Sequence, residues 1–255
     1  MAPESTVIPI PIPPIVPTGI TATIDKSQSL VVAWQSLNGE LALTKHFDGV
    51  WDPTIPLQVK PVNDSSLASI SWRDEVSVPL VCTVPHLMYW QIRIYYMDQN
   101  YVVQEWGYKH SKWYQGEIGR LGAKATPGSG LAAVTYGEKA NDTGSDGDHI
   151  RVYYQGRGRL NHHIHPLNCP TDAKTNDIKE LAYDNGSGWS HGGLNISNVL
   201  AGSRIAGVSL PWGGGSYLRL YFQDWDLYLR EWAWNGKTWI QGQPIGSDIT
   251  SPIRF

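Results

Sequence analysis

Arginine and glutamate recur at a fixed spacing in this chain: Arg93 with Glu105, and Arg219 with Glu231, each pair twelve residues apart. Arg151 and Glu180 repeat the pattern across 29 residues, as though a segment had been inserted between them. A guanidinium is a planar fork of donors and a carboxylate only accepts, so together they can hold a hydroxyl-bearing ligand from two sides. Three residues after each glutamate stands a ring, Tyr108, Tyr183 or Trp234, and a tryptophan follows at Trp113, Trp189 and Trp239. Such rings supply the apolar wall that the C–H face of a pyranose needs. A single pair would read as a cross-strand ion pair worth about 0.2–1 kcal/mol. Three recurrences with matching rings point to a repeated binding site.

The elements that must position these residues are themselves repeated. A run rich in small residues occurs at 19–24, 67–72, 131–136 and 205–210, followed by an alternating strand at 30–35, 92–97, 150–155 and 218–223. Third strands carry the glutamates at 103–106, 178–181 and 229–232, and a fourth begins at Trp51, Trp113, Trp189 and Trp239. Gly, Asn and Asp punctuate the joints, as turns require. Small residues in the first strand suit a crowded axis, and bulkier outer strands suit sheets packed face to face. The fold expected is therefore all-β: a single β-propeller domain over 1–255 with four evident four-stranded antiparallel blades, at about 19–66, 67–130, 131–204 and 205–246. A Pro-rich arm, 1–18, and a closing segment, 247–255, are left to complete the ring or begin a fifth sheet.

Strand geometry adds a direction. With Arg93 opposite Glu105 and Arg219 opposite Glu231, the hairpins would centre on Gln99 and Trp225, and each pair would share one sheet face. The rings, an odd number of positions further on, fall on the other face. Neighbouring blades then bring one blade's charged pair against the next blade's rings.

The segments 150–155 (Ile-Arg-Val-Tyr-Tyr-Gln) and 180–193 (Glu-Leu-Ala-Tyr-Asp-Asn-Gly-Ser-Gly-Trp-Ser-His-Gly-Gly) resemble the repeat of the fungal fucose-specific lectins. The similarity extends over roughly 20–245. It implies an L-fucose or fucosylated-glycan ligand held by Arg and Glu, with rings of the adjacent blade stacking on the sugar. Arg93 and Glu105 would work with Tyr183 and Trp189, and Arg151 and Glu180 with Trp234 and Trp239. Arg219 and Glu231 would need His46 and Trp51 of the first blade, if the ring closes. The first unit departs from the pattern, with Val31 and Leu43 where Arg and Glu belong. The family normally has six blades, more than this length holds.

A net charge of −3 without a basic stripe argues against nucleic acid as a partner. Four prolines between Val7 and Val16 rule that apolar stretch out as a membrane helix or signal core. No signal peptide is visible, while sequons at Asn63, Asn141, Asn185 and Asn195 would permit secretion, so secreted and cytoplasmic locations both stay open. No cofactor motif is present. The insertion 156–177 carries His162, His163, His165 and Cys169 without a complete metal-ligand spacing, so no metal is expected. That loop supports a second reading, a lectin-like biosynthetic enzyme such as a hetero-Diels–Alderase, orienting a small apolar substrate in a pocket near His162–His165. Cys82 and Cys169 lie in connections on opposite blade edges and are expected to stay unbridged. Self-association is left open.

Overall fold

The computed structural model describes residues 19–24, 29–75, 88–137, 149–157, 176–184, 187–212, 215–242 and 244–245. Four antiparallel sheets follow one another along the chain, each meandering outward from its first strand. Blade 1 contains β1 (Ile20–Ile24), β2 (Leu30–Gln35), β3 (Leu41–Phe47), β4 (Val50–Trp51) and β5 (Ile55–Pro56), the last two both pairing with β3. Blade 2 contains β6 (Ala68–Glu75), β7 (Met88–Met97), β8 (Val103–Lys109) and β9 (Lys112–Gln115). Blade 3 contains β10 (Leu131–Tyr136), β11 (His149–Arg157), β12 (Asn176–Asp184) and β13 (Gly188–Val199). Blade 4 contains β14 (Ala206–Trp212), β15 (Gly215–Gln223), β16 (Leu229–Trp234) and β17 (Trp239–Gln241). A single turn of 3-10 helix, Ile118–Leu121, is the one helical element among the described residues.

The first strands form the hub: β1 packs on β6, β6 on β10, and β10 on β14. Small polar side chains tie it together, Thr21 to Ser69 at 2.8 Å and Thr23 to Ser71 at 2.7 Å between hydroxyls. Gly130 shows why the entry to a hub strand is crowded, since a Cβ there would stand 2.5 Å from the Ile205 nitrogen. Between neighbouring blades the core divides into three buried clusters, one at each joint. Val31, Leu43 and Ile92 lie among the buried residues of the first joint, Tyr95 and Val152 among those of the second, and Tyr153 and Leu220 among those of the third. Stability thus resides in sheet-to-sheet joints between neighbours, as expected of a repeat architecture.

One detail of register corrects the sequence expectation. Arg93 stands opposite Gly107, not Glu105, and Arg219 stands opposite Ala233, not Glu231. The cause is the turn between second and third strands. Asp98 and Asp224 each open a turn in which the side chain accepts a later backbone N–H, from Val102 at 3.0 Å and from Tyr228 at 2.9 Å. The last loop residue, Tyr101 or Leu227, takes a left-handed φ of 60° or 67°. A three-residue loop closed this way centres on Asn100 and Asp226 and moves every partner by two positions. A shift of two leaves each side chain on its original face, so Arg and Glu still share a side, as diagonal neighbours.

Candidate functional site

Each site is built on one row of side chains running across a sheet. In blade 2 the row is Ile70, Arg93, Gly107 and Tyr114; in blade 3 it is Val134, Arg151, Ala182 and Ser190; in blade 4 it is Val208, Arg219, Ala233 and Ile240. The glutamate sits one row outward on the same face, opposite Tyr95, Tyr153 or Tyr221. On the reverse face, third and fourth strands bring rings opposite one another: His46 with Trp51, Tyr108 with Trp113, Tyr183 with Trp189, and Trp234 with Trp239. Their centroids are 4.8, 5.0, 5.5 and 5.9 Å apart, all at a tilt of 51–57°. Strand parity alone predicts this division into a charged face and a ring face.

The charged face of blade 2 meets the ring face of blade 3. Arg93 Nε lies 3.0 Å from Glu105 Oε1, and the Tyr95 hydroxyl donates to the same oxygen at 3.3 Å. The Trp189 indole N–H and the Glu117 backbone N–H also reach this carboxylate. The guanidinium is fixed by Nη1 donating to the Ile92 carbonyl at 3.2 Å, and by Nη2 donating to Gln91 Oε1 at 2.6 Å. It lies between the rings of Trp72 and Tyr114, at 4.9 and 5.1 Å from their centroids. Burial pushes the Glu105 carboxyl above its ordinary range against the downward pull of Arg93. This is not the exposed surface pair of a simple sheet: Arg93 and Glu105 side chains are only 11% and 5% exposed.

The charged face of blade 3 meets the rings of blade 4 in a similar way. Arg151 Nη1 donates to the Ile150 and Tyr183 carbonyls at 2.9 and 3.0 Å, and its centre lies 5.4 Å from the Tyr136 ring. Here Nη2 goes to Asp184 Oδ1 at 2.9 Å, an oxygen that also meets His149 Nδ1 at 2.6 Å. Burial pushes Asp184 up, but its hydrogen bonds to His149 and Arg151 prevail and hold it below its usual value. Burial raises Glu180, opposed by Arg151 and by the Gly193 backbone N–H. The ring that closes each joint is placed alike: Tyr95 meets Trp189 edge-on at 6.1 Å and 80°, and Tyr153 meets Trp239 edge-on at 6.0 Å and 89°.

The first joint lacks a charged pair, as Val31 and Leu43 imply, and one expected grouping does not form among the described residues. Between blades 1 and 2, buried Val31 and Leu43 pack with Tyr108 and Trp113, so that joint has rings but no charged pair. In blade 4, Arg219 Nε and Glu231 Oε1 are 3.9 Å apart, and no packing comparable to the other hub joints brings β14 back to β1 among the described residues. Among the described residues, His46 and Trp51 therefore do not complete the Arg219 site. Cys82, Cys169 and the loop with His162, His163 and His165 lie outside the described residues.

A further class of site residue escaped the sequence reading. Gly116 and Gly192 lie under the glutamates: a Cβ would meet Glu105 Oε2 at 1.9 Å or Glu180 Oε1 at 2.1 Å. The signal was present as Trp-x-x-Gly at 113–116, 189–192 and 239–242. Blade 1, which lacks the glutamate, has Thr54 at the corresponding place.

The family model of the fungal fucose-specific lectins matches residues 15–158 and 162–252. A fucose-specific lectin of Aleuria aurantia is 26% identical over 178 residues, covering 70% of this chain and 45% of that protein. One from Aspergillus fumigatus is 32% identical over 160 residues, covering 62% of this chain and 42% of its own length. The chain thus spans less than half the length of these curated relatives. Among solved structures, a mutant Aleuria aurantia lectin in complex with α-methyl-L-fucoside superimposes with a TM-score of 0.63 at 25% identity, over 89% of this chain and 63% of that one. A protein from Arthrobotrys oligospora, at 22% identity and a TM-score of 0.66 over 89% of this chain and 56% of its own, shares the fold.

Proposed function

The chain belongs to the fungal fucose-specific lectin family, and from that premise we propose that it binds L-fucose or fucosylated glycans at its second and third blade joints. The observation that carries this reading is the repeated joint: Arg93, Glu105, Tyr183 and Trp189 at one, and Arg151, Glu180, Trp234 and Trp239 at the other. Each offers a guanidinium edge to donate, a carboxylate to accept and a tilted pair of rings to receive an apolar sugar face. L-Fucose matches this set because it carries vicinal hydroxyls on one side and a methyl group in place of a hydroxymethyl. The structural relative from Aleuria aurantia was solved with α-methyl-L-fucoside bound, which supports the same ligand class here.

The guanidinium and carboxylate are already fixed by backbone carbonyls and N–H groups, so little ordering is left for the moment of binding. Charge-assisted hydrogen bonds of about 1.5–3 kcal/mol each, offset by the cost of association, place each small site in a weak regime raised by multivalency. Calorimetric titration with α-methyl-L-fucoside, followed by glycan-array binding, tests the reading. Saturable binding that weakens in both Arg151→Ala and Glu180→Gln is the expected result. A folded protein that gives neither heat nor array signal removes the proposal.

A further inference from the structure

The joints built on Arg93 and Arg151 differ in what flanks the arginine. In blade 2, Lys109 stands two positions beyond Gly107, the partner of Arg93, and pairs directly with Lys112 across the hairpin of β8 and β9. Two residues of strand span about 6.8 Å and return to the same face. Both lysines therefore share the charged face of blade 2 with Arg93, on its hairpin side. In blade 3 the equivalent position is Asp184, two beyond Ala182, the partner of Arg151. It pairs with His149 on one side and Gly188 on the other. The guanidinium groups carry the same contrast: Arg93 Nη2 donates to the neutral Gln91 amide at 2.6 Å, and Arg151 Nη2 to the Asp184 carboxylate at 2.9 Å. One face sets Arg93, Lys109 and Lys112 against Glu105, and the other sets Arg151 against Glu180 and Asp184.

Paired lysines are unfavourable for the sheet alone, because like charges directly opposite one another destabilise an antiparallel pair. The turn that sets them there is strained as well. His110 and Ser111 both take a left-handed φ, 50° and 62°. A two-residue turn of this kind favours Asn-Gly or Asp-Gly, and blade 1 uses Asp48 and Gly49, at φ 48° and 80°, in the same place. Lys112 is exposed and Lys109 half-buried. Both belong to the face that meets Tyr183 and Trp189 of blade 3. An ammonium is a compact point charge with donors on every side, and an anion seated against two of them relieves their mutual repulsion.

We infer that Lys109 and Lys112 form an anion subsite beside the Arg93 pocket, selecting fucosylated glycans that carry a sulfate ester or a carboxylate on a sugar neighbouring the fucose. The inference rests on the function proposed above, which it refines at one joint. The offset between the Arg93 row and the lysine row is comparable to the length of one sugar unit, so the anion belongs to a neighbouring sugar and not to the fucose itself. At the Arg151 joint the same place holds Asp184, which repels such an anion and leaves that site to neutral glycans. The chain thus carries two sites of one design that sort fucosylated glycans by charge.

Calorimetry with three glycans tests it: the Lewis x trisaccharide, its 3′-sulfated form and its 3′-sialylated form. At low salt an anionic form should bind one site of the wild type roughly 3- to 10-fold more tightly than the neutral trisaccharide, an advantage that shrinks as salt is raised. Whichever arm shows the preference, sulfate or sialate, names the anion. Arg151→Ala, which weakens the other joint, should keep the preference. Lys109→Gln combined with Lys112→Gln should abolish it, and Lys112→Arg should retain it. Should the double variant misfold by near-ultraviolet circular dichroism, Lys112→Gln alone, at the exposed member of the pair, replaces it and should reduce the preference. Equal binding of all three glycans by a wild type that binds α-methyl-L-fucoside overturns the inference and leaves the fucose reading standing. A preference that survives the folded lysine variant, or vanishes with Arg151→Ala, overturns it in the same way. A folded protein that binds neither the glycans nor the fucoside removes both.

Discussion

Replacing Gly192 with alanine is the sharpest test of the binding geometry, because the adjacent glycine is a built-in control. A Cβ at 192 would stand 2.1 Å from Glu180 Oε1 and 2.6 Å from its Cγ, well inside the 3.4 Å at which ordinary contact begins. The backbone at 192 is not left-handed, so alanine is excluded by the carboxylate and not by its own φ. The glutamate must therefore swing away, leaving the Gly193 N–H that it now accepts and its place beside Arg151. A hydrogen bond to a charged group is worth about 1.5–3 kcal/mol. At about 1.4 kcal/mol per decade, the Arg151 site should weaken roughly 10- to 100-fold. At Gly193 an added Cβ meets nothing within 4 Å, and its N–H is retained in alanine, so Gly193→Ala should bind as wild type. Calorimetry with α-methyl-L-fucoside reads this as the weakening of one of two equivalents in Gly192→Ala. Equal affinity in a folded Gly192→Ala, or equal damage from Gly193→Ala, would refute the role given to the glutamate.

Arg93→Ala should destabilise the fold strongly, by about 3–5 kcal/mol, because it strands a buried carboxylate; Arg219→Ala, at the more exposed pair, should cost about 1 kcal/mol or less. Urea unfolding of both compares them directly, and equal losses would contradict the difference in burial. Fucoside binding should also fall on acidification at a pH above the ordinary glutamate range, since the accepting carboxylates Glu105 and Glu180 are both raised by burial. The stability contribution of these two groups runs the other way: with folded values above unfolded ones, it declines as pH rises from the ordinary glutamate value through the raised one. Binding titrations across pH 4–8, alongside melting curves of wild type and Glu105→Gln, check both signs; release only below the ordinary range would sink the first.

Much of this molecule was readable from its residues because the repeat supplies its own alignment. Runs of small residues gave the hub strands, and strand parity put Arg93 and Tyr108 on opposite faces without any knowledge of neighbouring blades. Register was not readable to the same accuracy. Whether the hairpin centres on Gln99 or Asn100 depends on Asp98 capping the turn and on Tyr101 accepting a left-handed φ, both settled by local hydrogen bonding. The glycines beneath the glutamates were visible as Trp-x-x-Gly, yet their meaning lay in the room they leave for another side chain. Burial of Arg93 between Trp72 and Tyr114 depends on three strands at once. The separation of β14 from β1 was still less accessible, because no local pattern says whether two ends meet.

The apolar joint between blades 1 and 2 has a consequence for how the chain loosens. Val31 and Leu43 pack there with no guanidinium–carboxylate pair to desolvate, the Lys45 ammonium lying over the Tyr108 ring at 5.8 Å, whereas the next two joints each bury a guanidinium and a carboxylate. In an array coupled only between neighbours, local opening starts where the coupling is weakest. The first two blades then act as the anchor of the array, and transient fluctuations concentrate in the blades that carry the polar sites. A ligand seated between blades 2 and 3 or 3 and 4 would bridge the looser seams, so occupancy and rigidity rise together. Val31 and Leu43 leave the first joint without a charged pair and join the first two blades by apolar contact.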